Sequence, residues 1–225
     1  MSNISDNWLF EQLALYKVPE PEAFHTDCLT LWQELCETNR SVNLTRITSL
    51  DDFWIKHVLD SLAIAKFFPE LSSAEITLAD IGCGAGFPSL VLAIAYKNIN
   101  VTAIDSINKK TAFVKNTAQK LDLNNLQVFT ARARELNCRE EWQGKYDIIT
   151  ARAVAESVKI FKETNRLLKS DGKIILYKTP EQIKTEIALL EKISAKQAFK
   201  WTVTSEFELA QNSGTRQFIC GSRQP

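Results

Sequence analysis

The chain carries no net charge, with Lys+Arg 27 against Asp+Glu 27 over 225 residues. That balance excludes the global basic field many nucleic-acid binders use, so attraction for a polyanion must come from local patches. No apolar run approaches the about 20 residues of a membrane span, and no charged-then-apolar segment opens the chain. A soluble, cytoplasmic protein without membrane contact is expected. The five cysteines, Cys28, Cys36, Cys83, Cys138 and Cys220, are odd in number and lack Cys-x-x-Cys spacing. Neither a metal site nor a disulfide framework is expected, and reduced thiols fit the cytosol. Internal repeats and low-complexity linkers are also missing. The length accommodates one α/β domain plus a small additional element, with a core that needs no staples.

What is present is organised around Ile76 to Asp105. Ile76, Leu78 and Ile81 mark a short strand that stops at Gly82, Gly84 and Gly86. Glycines here let the backbone take positive φ and approach a ligand that a Cβ would repel. Leu90 to Ala95 then reads as a helix of about three turns with Pro88 in its first turn. Val101 to Ile104 is a second buried strand that delivers Asp105 to its carboxyl end, the place where doubly wound sheets bind ligands. The glycine spacing differs from the dinucleotide pattern, its third glycine coming one residue early, which disfavours a nicotinamide-dependent oxidoreductase. Asp80, the three glycines and Phe87 together resemble motif I of class I S-adenosylmethionine methyltransferases. That resemblance makes Asp105 the acceptor for both ribose hydroxyls, a task suited to a bidentate, acceptor-only carboxylate. Cys83 lies in the loop without a neighbouring histidine and reads as a small loop residue.

Residues 1–70 read as a helical extension and residues 71–225 as the ligand-binding domain. Trp8, Leu9, Leu13 and Leu15 begin one amphipathic segment, Phe24, Cys28, Leu31, Trp32, Leu35 and Cys36 recur at helical spacing in the next, and Trp8 and Trp32 read as packing. The loop Asn39 to Thr45 is rich in hydrogen-bonding groups. Next, His57, Asp60 and Ser61 share a helix face; residues so close on one helix cannot converge as a hydrolase triad, and capping with helix-to-sheet hydrogen bonds explains the spacing.

Asn43-Leu44-Thr45, His57-x-Leu59-Asp60-Ser61 and Asp80-x-Gly82-x-Gly84-x-Gly86-x-Pro88, in that order, resemble the glucose-inhibited division protein B family. The resemblance runs from the N-terminal helices to Arg216. It implies an enzyme that methylates the N7 of one guanine in 16S ribosomal RNA, with 16S RNA or the small ribosomal subunit as partner. It also implies a class I fold: a Rossmann-like, mostly parallel seven-stranded sheet closed by an antiparallel C-terminal hairpin. A monomer is expected. Ser89 departs from the family, which usually has glycine there; serine fits unless the position needs positive φ.

Past Asp105, Phe113, Val114 and Leu121 mark a helix and Leu126 to Phe129 a third strand. The resemblance places the following loop over the cofactor's adenine, with Ala133 and Arg134 as cofactor contacts and Arg132 as an RNA contact. Tyr146 to Thr150 is a fourth strand ending at Arg152, and a charge at that position requires a ligand or an acidic neighbour. The helix ending near Leu168, a turn at Asp171-Gly172 and a fifth strand from Lys173 to Tyr177 lead to Lys178. A helix over 181–199 precedes the antiparallel pair Trp201 to Leu209 and Arg216 to Cys220.

The cofactor-binding set is therefore Asp80, Gly82, Gly84, Gly86, Phe87, Asp105, Ala133, Arg134 and Arg152, with S-adenosylmethionine as cofactor. Guanine N7 carries an in-plane lone pair and no proton, so no general base is sought. Arg132, Arg152, Lys178, Arg216, His57 and Asn43 are the positioning candidates. The Asp/Asn-Pro-Pro-Tyr/Phe motif of amino methyltransferases and the paired cysteines of cytosine-C5 enzymes are absent. A small-molecule methyltransferase and a non-catalytic cofactor- or RNA-binding protein are the alternatives.

Overall fold

The computed structural model describes residues 4–224. The chain opens with α1 (Asp6–Leu15) and α2 (Pro21–Asn39). Ser5 caps α1 by accepting from the Trp8 amide at 3.3 Å, and Pro21 sits in the first turn of α2, where its missing N–H has no helical partner to lose. A continuous helical run over 50–66 follows, made of α3 (Leu50–Asp52), a π-helical stretch Phe53–Leu59, α4 (Asp60–Leu62) and a 3-10 turn Ala63–Lys66.

Alternation then sets in: β1 (Ile76–Ile81), α5 (Ser89–Ala95), β2 (Ile99–Asp105), α6 (Asn108–Lys120), β3 (Leu126–Thr130), α7 (Ala133–Asn137), β4 (Tyr146–Arg152), α8 (Ser157–Thr164), β5 (Leu168–Lys178) and α9 (Pro180–Ser194). Three strands close the chain: β6 (Phe199–Val203), β7 (Phe207–Glu208) and β8 (Thr215–Arg223). The sheet order is β3-β2-β1-β4-β5-β8-β6, with β1 to β5 parallel and β8 antiparallel to both β5 and β6. The seven-strand path matches expectation, and the two-residue β7 adds an eighth strand beside the start of β8.

Parallel strands buried on both faces require helices on both sides. On one side α1, α2, the 50–66 run, α5 and α6 share a core that includes Leu9, Leu31, Phe53, Leu92, Val101 and Phe113. On the other, α7, α8 and α9 pack around Ile149, Phe161, Leu190 and Trp201. The N-terminal helices thus complete the same core as α5 and α6. Tyr96 reinforces this junction by donating its hydroxyl to the Tyr16 carbonyl at 2.7 Å.

Several boundaries differ from the sequence reading. The helix after the glycine turn is seven residues long, about two turns, with Pro88 just outside it. Its tight packing between α2, α4 and β2 lets a short segment suffice. Asp171 and Gly172 lie within β5, where the chain makes a register shift against β4 near Tyr146 rather than a separating turn. The helix α8 ends at Thr164, whose hydroxyl bonds back to the Ile160 carbonyl. The segment Trp201 to Leu209 splits into β6 and β7, because the Thr204 hydroxyl and amide turn onto Phe218 and interrupt the ladder. Among the described residues no helix is long and apolar enough to cross a membrane, and no cluster of His, Cys, Asp or Glu is placed to hold a metal.

Candidate functional site

Strand order reverses between β1 and β4, and the loops after β1, β2, β3 and β4 meet at that carboxyl edge. The glycine loop folds back on β2, its Gly82 and Cys83 amides donating to the Ile104 carbonyl at 2.7 and 3.1 Å. At Gly82 φ is +69°, and a Cβ there would lie 2.6 Å from the Val154 methyls, so glycine lets the loop after β4 close over it. Gly84, at φ +57°, faces open space: a Cβ would meet nothing nearer than the Gly82 carbonyl at 3.9 Å. Cys83 is buried, and burial together with Asp80 and Asp105 pushes its thiol far above the usual range. It is not a nucleophile.

Asp105 reaches into this edge while only 8% exposed. Its Oδ2 accepts from the Gly84 amide at 3.0 Å and its Oδ1 from the Ile107 amide at 2.9 Å. Both oxygens retain a further acceptor site. They border a cleft of about 400 Å³ that Gly82, Ala133 and Arg134 also line. Lys110, Arg132 and Lys159 add positive charge to its walls against Glu163 and Asp105, and the 45%-exposed Val154 forms an apolar lip.

The other cofactor candidates are placed differently. Asp80 is fully buried; it accepts from the Ser89 amide and hydroxyl and from Thr150 Oγ1 at 3.4 Å. It has no exposed surface, does not line the cleft, and ties the glycine loop to α5. Burial pushes its carboxyl up to about 6, against the opposing pull of the Ser89 bonds and Arg152. Ser89 therefore supplies a partner that glycine could not. Gly86 packs against Leu90, and Phe87 is buried with its ring stacked on His57 at 4.0 Å between centroids. Neither lines the cleft, nor does Arg152.

Arg152 instead faces the N-terminal helices. Its Nη1 donates to Asp60 Oδ2 at 2.8 Å and to the Lys56 carbonyl at 2.9 Å, and its Nη2 lies 3.1 Å from His57 Nδ1. Arginine only donates, so Nδ1 must accept and the imidazole is neutral with its proton on Nε2. That proton points to Thr45 Oγ1 at 3.1 Å. The π-helical turn brings Lys56, His57 and Asp60 to one arginine, consistent with the use of such turns at functional sites. Ser61 bonds its own helix through the His57 carbonyl, so the His57, Asp60 and Ser61 group is a helix-to-sheet clamp and no triad.

Lys178 is buried and donates to Glu186 Oε2 at 2.8 Å and to the Ala155 carbonyl at 3.1 Å, anchoring the loop after β4. Arg216 approaches the same Asp60 from β8, its Nε 3.3 Å from Oδ1. The sheet edge thus brings Arg152 and Arg216 together, while Arg132 is exposed on the cleft wall at the start of α7. Asn43 is exposed; Asn39 does the holding, accepting the Leu44 and Thr45 amides at 2.6 and 2.9 Å and donating to the Thr45 carbonyl at 2.9 Å. Asp60, Asn39 and Glu186 are the residues missed as site members. For Asp60 a signal existed, since Arg152 at a strand end requires an acidic neighbour.

Burial, and then Arg152, lower the His57 pKa to about 3 from an ordinary value near 6.5. The stability this neutral histidine contributes is complete above pH 6.5 and is lost as pH falls from 6.5 toward 3, because only the unfolded chain then takes the proton. Asp80 acts oppositely between about pH 6 and 3.8, where the folded state holds the extra proton. In wild type the two trends offset. The destabilisation caused by His57→Gln is therefore expected to be greatest above pH 6.5 and to shrink by up to about 1.4 kcal/mol per pH unit below it. Urea titrations of both proteins from pH 7.5 to 5 measure this, and a pH-independent difference would contradict a neutral buried His57.

A family model described as GidB, rRNA small subunit methyltransferase G, matches residues 25–214. The chain is 38% identical over 169 residues to the ribosomal RNA small subunit methyltransferase G of Limosilactobacillus reuteri, covering 73% of this chain and 70% of that one. It is 34% identical over 218 residues to the protein of the same description from Staphylococcus saprophyticus, covering 94% and 87%. In fold it is similar to a SAM dependent methyltransferase from Aquifex aeolicus, with TM-score 0.52 and 19% identity over 69% of this chain and 87% of that one.

Proposed function

The chain belongs to the GidB family of small-subunit ribosomal RNA methyltransferases, and from that premise we propose that it methylates the N7 of one guanine in 16S ribosomal RNA, using S-adenosylmethionine. The carrying observation is Asp105, whose two oxygens each hold one backbone donor and keep a second acceptor site toward the cleft. A pair of vicinal ribose hydroxyls fits that carboxylate, and Gly82 and Ala133 supply close, small walls for the rest of a nucleoside. When bound, S-adenosylmethionine supplies an electrophilic methyl carbon on a sulfonium.

Guanine N7 has an in-plane lone pair and no proton, so no group of the chain needs to remove one. The ionisable groups agree with this. His57 is neutral with both ring nitrogens engaged, and Asp80 is fully buried under Ser89. The chain's task is positioning, which in a well-oriented site can supply much of the rate. Arg132, Arg134, Lys110 and Lys159 surround the cleft with donors suited to phosphate and to guanine O6. This local cationic rim on a neutral protein favours a nucleic acid over a small-molecule acceptor.

Arg132→Ala is expected to slow radiolabelled methyl transfer to small ribosomal subunits and to flatten the slope of log affinity against log salt by about 0.7 to 0.9, the contribution of one phosphate contact. Affinity for S-adenosylmethionine, read by calorimetry, should stay close to wild type. Normal transfer across the whole salt series would mean that Arg132 is only a solvated surface charge. Equal labelling of small metabolites and ribosomal particles would favour the small-molecule reading.

A further inference from the structure

The cations at the carboxyl edge are held with unequal firmness. Arg152 has three acceptors and a side chain 14% exposed, and Lys178 has two and is 7% exposed. Arg216 is 25% exposed, and its Nη1 donates only to the carbonyl of its own neighbour, Thr215, at 3.1 Å. Its Nε is 3.3 Å from Asp60 Oδ1, within ion-pair range, yet no hydrogen bond forms. Oδ1 is left as a buried carboxylate oxygen without a donor, on a side chain only 5% exposed. A charged acceptor so buried usually has a donor aimed at it.

We propose that Asp60 is a positioning residue that fixes Arg152 with Oδ2 and with Oδ1 parks Arg216 in a loose ion pair, which a phosphate of the RNA substrate displaces. This rests on the RNA-methyltransferase reading above. Charge makes the exchange feasible. One carboxylate faces two guanidinium groups, so Asp60 stays neutralised by Arg152 when Arg216 leaves. Arg216 has the means to move: its backbone is fixed by pairing with Phe207 on β7, while its fork retains free N–H groups for a bidentate phosphate contact. Asp60 sits 3.3 Å from one arginine and 2.8 Å from the other, so a single side chain sets where the displaced cation starts and what it returns to.

The test compares Asp60→Asn, Arg216→Ala and the double variant with wild type, using 16S RNA in small subunits as the probe. Asp60→Asn should release Arg216 to solvent. RNA binding should become at least about threefold tighter, because no ion pair has to be broken, with the log–log salt slope of wild type kept since the same phosphate contact forms in both complexes, while single-turnover methyl transfer at saturating RNA falls at least about tenfold through lost registration. Arg216→Ala and the double variant should both show a slope shallower by about 0.7 to 0.9, and the double variant should lose the gain in affinity, because the cation responsible is gone. A merely structural role for Asp60 would not tighten binding. Binding by Asp60→Asn no tighter than wild type, a wild-type slope in Arg216→Ala, or a gain in affinity that persists in the double variant overturns the proposal.

Melting of Arg216→Ala decides the point even if Asp60→Asn does not fold. A parked arginine predicts a shift below about 4 °C, and any larger shift would make Arg216 a structural clamp and overturn the proposal. If wild type transfers no methyl to the RNA, the reading above fails, while the melting experiment still tells whether Arg216 is parked.

Discussion

Gly84→Val abolishes binding of S-adenosylmethionine while the far-UV spectrum stays nearly native. This is the expected result because Gly84 combines two demands. Its φ of +57° is one that a β-branched residue adopts only with strain, on the order of 1–2 kcal/mol. Its Cβ direction is open, with no protein atom nearer than 3.9 Å, so the fold has room for a side chain where a ligand needs the space. The Gly84 amide is also the donor that orients Asp105 at 3.0 Å, and a twisted loop would misplace the ribose acceptor. Gly84→Ala should fall between wild type and valine. Calorimetry measures both, and near-native affinity in Gly84→Val would place the cofactor elsewhere.

Arg152→Ala is expected to cost about 3–5 kcal/mol of stability, the usual penalty for removing one partner of a buried ion pair. The substitution strips donors from Asp60 Oδ2, from the Lys56 carbonyl and from His57 Nδ1 at once. Arg216 remains 3.3 Å from Asp60 and offsets part of the loss, so the lower end of the range is expected. Adding Asp60→Asn to Arg152→Ala should recover stability, because the uncompensated buried charge is what destabilises. Urea denaturation reads both variants; a loss under about 1 kcal/mol would mean that the pair behaves as a solvated surface bridge.

The parts of this molecule that were legible in the sequence are those whose signals are local. The strand, glycine turn and second strand from Ile76 to Asp105 announce themselves through three glycines and two apolar runs, and β1, β2 and the place of Asp105 at the end of β2 follow that reading. Arg152 needed an acidic neighbour, and its partner proved to be Asp60, 92 positions away in sequence. Nothing local could say that the partner would lie directly after a π-helical stretch, since no spacing of Phe53 to Leu59 separates five-residue from four-residue hydrogen bonding. Side-chain direction was not legible either: Arg152 and Phe87 sit at the strand end and in the glycine loop as read, and their side chains turn toward His57 rather than into the cleft. Ser89 is the converse case. As a departure from a family pattern it carried no meaning until Asp80 was seen to accept from it.

The measurement that bears most directly on the central claim is the position of the methyl group. Small ribosomal subunits lacking the modification, incubated with the protein and labelled S-adenosylmethionine, should incorporate label into 16S RNA, and borohydride–aniline treatment should then cleave the labelled RNA at one guanine. Label on an exocyclic amine, on a ring carbon or on a ribose, with no cleavage at guanine, would contradict the account.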